Sequence, residues 1–203
     1  MQGIMRNFLC DEKEDKKDKS EEENFIKKML DARIIMVSEP ITDKLAKAVT
    51  TQCILMQEAD KEKPISVYVN SPGGEADSGF AMYDILRFIT PPVYTICTGL
   101  CASAAVLVYL SAPAERRYSL PNSRFLLHQP STSMMGTAAD LEINANEIIK
   151  LRERYNAIVA HETNRELNQI NNDADRDFWL NTVEAKEYGL VGKIIEKYSE
   201  IVY

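Results

Sequence analysis

One hydroxyl interrupts the run GLCASAAVLVYL at residues 99–110, that of Ser103. A serine among Ala and Cys most often serves only to let two elements pack closely. Where a strand hands over to a helix, however, the same hydroxyl lies near helix-terminal N–H groups, which stabilise a developing negative charge. That position suits a nucleophile for acyl transfer, provided the chain also holds a base, an orienting acid and donors for an oxyanion. The sequence has two histidines. His161, in AHETN, reads as a solvated helix C-terminus, where a His is electrostatically favoured. His128 ends the apolar strand RFLL and precedes Gln-Pro, which makes it the better base, although a lone His there is more commonly a structural hydrogen-bonding group.

The acid must come from 31 Asp and Glu residues. NNDADRDFWL offers Asp173, Asp175 and Asp177. Asp177 adjoins Phe178, Trp179 and Leu180 and is the one expected to be drawn into the interior. A carboxylate facing His Nδ1 fixes the tautomer and stabilises the imidazolium; any single Asp is more commonly a plain helix cap. NSPGG at 70–74 follows an apolar strand. Its two glycines let backbone N–H groups face a cavity with no Cβ in the way, but Pro-Gly-Gly also makes an ordinary turn. Two histidines without paired Cys/His spacing give no reason to expect a zinc site. No Gly-rich loop ending in Gly-Lys-Ser/Thr is present, so neither a cofactor nor nucleotide hydrolysis by the chain itself is expected.

These residues need elements to hold them. A length of 203 residues allows one sizeable domain. The net charge of −7 argues against a nucleic-acid partner, which usually meets a basic face. Four cysteines without framework spacing fit a reducing compartment, with Cys97 and Cys101 as small core residues. The N-terminus carries no signal pattern and no apolar run reaches membrane-spanning length, so a cytoplasmic protein is expected. Residues 1–23, with the charged run DEKEDKKDKSEEE, read as a solvated tail or loop, and residues 24–203 as one domain. Helical spacing begins at Phe25, Ile26, Met29 and Leu30. A strand in RIIMVSEP follows. Thr42 or Asp43 then starts a helix with Leu45, Val49, Cys53 and Met56 on one face. PISVYVNSPGG is a strand ending in a glycine turn, SGFAMYDILRFI a helix stopped by Pro91-Pro92, and VYTICTG a third strand, after which residues 99–110 read as a helix. RRYSLPNSRFLLHQP holds two short strands. The alternation predicts an α/β protein with a parallel sheet, and ligands in such sheets sit beyond the carboxyl ends of the strands. Asn70–Gly74, Gly99–Ser103 and His128–Pro130 all fall at such ends. A long amphipathic helix is expected over about 139–160, with Leu141, Ala145, Ile148, Ile149, Tyr155, Ile158 and Val159 as its apolar stripe.

Together VNSPGG at 69–74, TGLCAS at 98–103, LPNSRFLLHQP at 120–130, DLEINANEI at 140–148, DRDFWL at 175–180 and EAKEYGLVGKI at 184–194 resemble the ClpP family, the proteolytic subunit of the caseinolytic protease. The resemblance covers roughly residues 30–195. It implies a ClpP/crotonase-like fold of repeated β-β-α units with a projecting helical handle, which the segment at 139–160 matches. It implies a serine endopeptidase with Ser103 as nucleophile, His128 as general base, Asp177 as its orienter and the N–H groups of Gly74 and Ala104 as the oxyanion hole. It implies heptameric rings stacked as a tetradecamer, with Asp175 and Arg176 matching a pair at the ring–ring contact. It also implies a AAA+ unfoldase partner, which hydrolyses the ATP, docked at a cleft matched by Tyr68, Phe88 and Tyr118; alone, the family degrades only peptides.

Several positions depart from the family pattern. Ala104 stands where a Met usually follows the serine. Thr132, Ser133 and Thr137 stand in a strand that is glycine-rich in the family, and Ser66 replaces a cleft aromatic. Such drift points to a divergent paralogue working in mixed rings with a second ClpP, and leaves a weakly active or non-catalytic structural subunit as the alternative reading. A crotonase-type acyl-CoA enzyme would share the fold, but no CoA site is legible. A Ser/Lys protease would need a lysine near the site, and none lies between Lys63 and Lys150.

Overall fold

The computed structural model describes residues 24–203. The charged run at 11–23 and Cys10, and with them the reading of residues 1–23 as a tail or loop, lie outside the described residues. The chain divides into two units, Met1–Ile34 and Ile35–Tyr203. In the first, residues 24–31 form helix α1.

The rest alternates strand and helix: β1 (Ile34–Val37), α2 (Asp43–Ala59), β2 (Ile65–Ser71), α3 (Ala76–Phe88), β3 (Val93–Ala102), α4 (Ala104–Leu110), β4 (Arg117–Ser119), β5 (Arg124–Leu127), α5 (Ala138–Thr163), α6 (Leu167–Asp173), β6 (Phe178–Asn181), α7 (Thr182–Tyr188) and β7 (Lys193–Ile194). Helix α2 starts as its sequence predicts. Thr42 Oγ1 accepts from Leu45 N–H at 3.2 Å, and Leu45, Val49, Cys53 and Met56 are all buried. Strands β2, β3, β4 and β7 run parallel, in the order β1-β2-β3-β4-β7. Cys97 and Cys101 are fully buried in β3.

Strand β3 is where the fold prepares the site, and it differs from expectation. Residues 99–102 continue the strand, and only from Ala104 is the chain helical. Propensity favours helix for this small and apolar stretch, but Leu100, Cys101 and Ala102 find partners in Arg124, Phe125 and Leu126 of β5, and pairing overrides propensity. The first half of β3 pairs instead with β4, through Thr95–Cys97. Between the halves the register against β2 slips from Val69↔Cys97 to Ser71↔Cys101, a bulge that re-aims the end of the strand. Asn70 holds the bulge by accepting from Leu100 N–H at 2.9 Å through its side-chain oxygen. A Cβ at Gly99 would lie 2.5 Å from Asn70 Oδ1, so any other residue there would displace the side chain that holds the bulge.

Helix α5 is longer than the expected 139–160. Its apolar stripe is buried only toward the C-terminal half, at Tyr155 and Val159, while Leu141 and Ile149 are exposed and Ala145 with them. Residues 131–136, where the resemblance implies a strand, pair with nothing among the described residues. Thr137 has a local explanation: it N-caps α5, accepting from Asp140 N–H at 3.3 Å.

Candidate active site

Ser103 sits between β3 and α4 with φ 55° and ψ −126°, a conformation strained for a residue bearing a Cβ. Its surroundings over-determine that conformation. Its N–H donates to the Leu126 carbonyl at 2.9 Å, and its own carbonyl accepts from Val106 N–H at 3.0 Å and from the Tyr155 hydroxyl at 3.3 Å. Helix α4 behind it is buried along its whole length, AAVLVYL, so the junction cannot swing into solvent. The glycine turn packs directly on this elbow. Gly73 has φ +88°, and a Cβ there would fall 2.6 Å from Ala102 O and 2.7 Å from Ser103 Cβ.

Gly74 follows with φ +155°, bridged to Ile41. The bridge uses the Gly73 carbonyl and the Glu75 N–H, at 2.8 and 3.0 Å, so the N–H of Gly74 itself points the other way. Ala104 opens α4, and the first N–H groups of a helix have no intrahelical acceptor. Both residues line one cavity of about 540 Å³, together with Ser103 and His128. Phe80, Leu107, Ile148, Leu151 and Tyr155 give that cavity an apolar wall, suited to a substrate side chain.

His128 arrives on the antiparallel pair β5–β6, whose register runs Arg124↔Asn181 to Leu127↔Phe178. One rung further the ladder sets His128 opposite Asp177, and Nδ1 lies 3.1 Å from Asp177 Oδ1. Gln129 pins the same turn, its N–H donating to the Ala174 carbonyl and its side chain to the Asp175 carbonyl, both at 2.8 Å. The expected burial of Asp177 does not occur: its side chain is 64 % exposed. Strand alternation is the reason. Phe178 and Leu180 turn inward, while Asp177 shares the outer face with the exposed Trp179. Asp173 instead accepts from the Tyr188 hydroxyl at 2.7 Å, and Asp175 lies in the exposed turn before Arg176. His161, as expected, is solvated near the end of α5. Among the described residues no hydrogen bond reaches Ser103 Oγ from His128, and no group of His, Cys, Asp and Glu could hold a metal.

The remaining sequence candidates fall in two places. Asp175 and Arg176 make a loose, exposed contact within the chain, 3.9 Å between Oδ2 and Nη1. Tyr68 packs on a cluster containing Tyr94, Ile96 and the buried Tyr118, whereas Phe88 stands exposed outside that cluster. Ser66, the position lacking an aromatic, is partnered by a residue that sequence reasoning missed. Tyr203 OH lies 2.9 Å from Ser66 Oγ, and its ring stands edge-on to Tyr94 at 5.1 Å between centroids. Asn70 and Tyr155 were missed as well. Asn70 was signalled by its place before Ser-Pro-Gly-Gly; Tyr155 was visible only as one member of an apolar stripe.

A protein-family model described as Clp protease matches residues 16–198. The ATP-dependent Clp protease proteolytic subunit 2 of Treponema denticola is 42% identical over 196 residues, covering 96% of this chain and 98% of its own length. The ATP-dependent Clp protease proteolytic subunit 3 of Rhizobium etli is 48% identical over 170 residues, 84% of this chain and 87% of its own. Among solved structures, a point mutant of ClpP1 from Listeria monocytogenes matches with a TM-score of 0.81 and 39% identity, covering 88% of this chain and 99% of that one. With nearly the whole of residues 24–203 matched in both sequence and fold, the chain belongs to the Clp protease family.

Proposed function

We propose that the chain is a serine endopeptidase subunit of a self-compartmentalised, ATP-dependent protease. The observation that carries the reading is the pairing of His128 with Asp177 at 3.1 Å beside a cavity that His128 shares with Ser103. With the Asp177 carboxylate on Nδ1, the proton stays on that nitrogen and Nε2 keeps its lone pair as a base. Ser103 Oγ attacks the scissile carbonyl while His128 takes its proton. The oxyanion that forms is held by the N–H groups of Gly74 and Ala104. His128 then gives the proton to the leaving amine, and water hydrolyses the acyl-enzyme by the same path in reverse.

Membership of the family supports an assembly of the kind that the resemblance implies. The chain forms heptameric rings stacked in pairs through α5, with Asp175 and Arg176 at the ring–ring contact. A AAA+ unfoldase docks at the aromatic cluster around Tyr68 and Tyr118, with Phe88 brought in as part of the same cleft, and feeds unfolded chains to the chamber in the cytoplasm. The names of the relatives, proteolytic subunits of an ATP-dependent protease, support the partnership with an ATPase.

One observation favours the alternative of a weakly active structural subunit in mixed rings with a second paralogue: Ser103 Oγ and His128 are not hydrogen-bonded. Such bonds are often long before substrate binds and tighten in the complex. Labelling with a fluorophosphonate decides between the two readings. A subunit that hydrolyses peptides labels on Ser103 and loses both labelling and hydrolysis on Ser103→Ala; a purely structural subunit does not label.

A further inference from the structure

We infer that Tyr155 is a positioning residue for the oxyanion site, its hydroxyl holding the Ser103 carbonyl and thereby aiming the Ala104 N–H into the cavity. The inference rests on the serine-peptidase reading above and adds to it a residue on α5 that the triad does not contain.

The argument turns on one peptide unit. The Ser103 carbonyl and the Ala104 N–H belong to the same plane, and in a trans peptide they point in opposite directions. Whatever fixes the oxygen therefore fixes the donor. Val106 N–H reaches that oxygen at 3.0 Å from within the turn, and Tyr155 OH reaches it at 3.3 Å from across the fold, 52 residues away. Two donors on one oxygen leave the plane little freedom, and a bond accepted at C=O also polarises the N–H at the far end. The elbow needs this restraint, because φ 55° at Ser103 is a conformation the isolated chain would abandon.

The neighbours keep the donor end clear. A Cβ at Gly73 would sit 3.0 Å from the Ala104 nitrogen; with glycine there the N–H stays open to the cavity. Tyr155 is buried, and burial pushes its phenol well above the usual tyrosine range. It thus remains a protonated donor at any working pH. Its ring lines the apolar wall of the same cavity, so one side chain touches both the pocket and the nucleophile's backbone.

A merely structural role predicts something different. If the hydroxyl only satisfies itself in a buried setting, its removal changes stability and leaves the chemical step alone. Tyr155→Phe separates the two, since it keeps the ring and deletes the bond. The full chain is assayed on a short fluorogenic peptide, with rates normalised to Ser103 sites titrated by a fluorophosphonate so that misfolded material does not count. The expected result is a kcat lower by about five- to tenfold with KM unchanged. The affinity of a peptide boronate, whose tetrahedral adduct places an oxygen at the oxyanion position, should fall by the same factor. An unchanged kcat, or a loss confined to KM, overturns the inference. If Ser103→Ala is inactive and Tyr155→Phe is wild type, only this inference falls. If Ser103→Ala still hydrolyses the peptide, the serine-peptidase reading falls and takes the inference with it.

Discussion

Asp177 meets His128 at 3.1 Å while remaining largely open to solvent. An exposed pair of this kind contributes at most about 1 kcal/mol to stability. The contact therefore matters for orientation rather than for folding, and the two can be separated by experiment. Asp177→Asn should leave the thermal midpoint nearly unchanged and lower peptide turnover by two to four orders of magnitude, roughly the range for an orienting carboxylate in a serine triad. Retention of more than about a tenth of the wild-type rate would remove Asp177 from the mechanism.

The glycine turn should be as intolerant as the triad. A methyl group at Gly73 meets backbone and Ser103 Cβ, neither of which can move aside, and φ +88° disfavours any side chain. Gly73→Ala is expected to cost about 1–3 kcal/mol in denaturant unfolding. It should also slow fluorophosphonate labelling of Ser103 by at least about tenfold. Gly136→Ala is the matched control. Its Cβ would meet only Asp140, at 3.5 Å, and should change neither measurement.

The first half of α5 leaves Leu141 and Ile149 of its apolar stripe exposed at 40% and 43%, with the exposed Ala145 between them. An exposed apolar stripe along one side of a helix is rare on a monomer. The native mass is expected to be a multiple of the 23.0 kDa chain. Because Ile149 is exposed in the single chain, Ile149→Glu should shift thermal stability of the chain itself by no more than about 0.5 kcal/mol. It should nonetheless reduce the particle mass in analytical ultracentrifugation. A wild-type protein sedimenting as one chain, or a variant of unchanged mass, would dismiss the helix as an assembly surface.

What could be read directly from the residues was whatever repeats locally. The buried face of α2, the cap at Thr42 and the apolar strands depend on spacings of two to four residues, and each formed as spaced. The placement of Asn70–Gly74, Ser103 and His128 at strand ends follows from the same alternation. Apart from the His128–Asp177 pair, which the family resemblance implied, partners chosen across the fold were not legible. The strand at 99–102 needed β5 beside it, and the exposure of Asp177 was decided by which face of β6 turns inward. Arg117 is the plainest case. Its sequence neighbourhood, RRYS, suggests a surface charge, yet it is almost fully buried. Its guanidinium donates to the Ala112 and Glu162 carbonyls at 2.7 and 2.8 Å and pairs with the Glu162 carboxylate, which also accepts from Tyr83 and Arg87. That network ties the segment after α4 to the end of α5, 45 residues further along the chain. A buried charge is tolerable only where its counter-charge and acceptors already stand, and their arrival depends on the packing of whole elements rather than on any pattern within one.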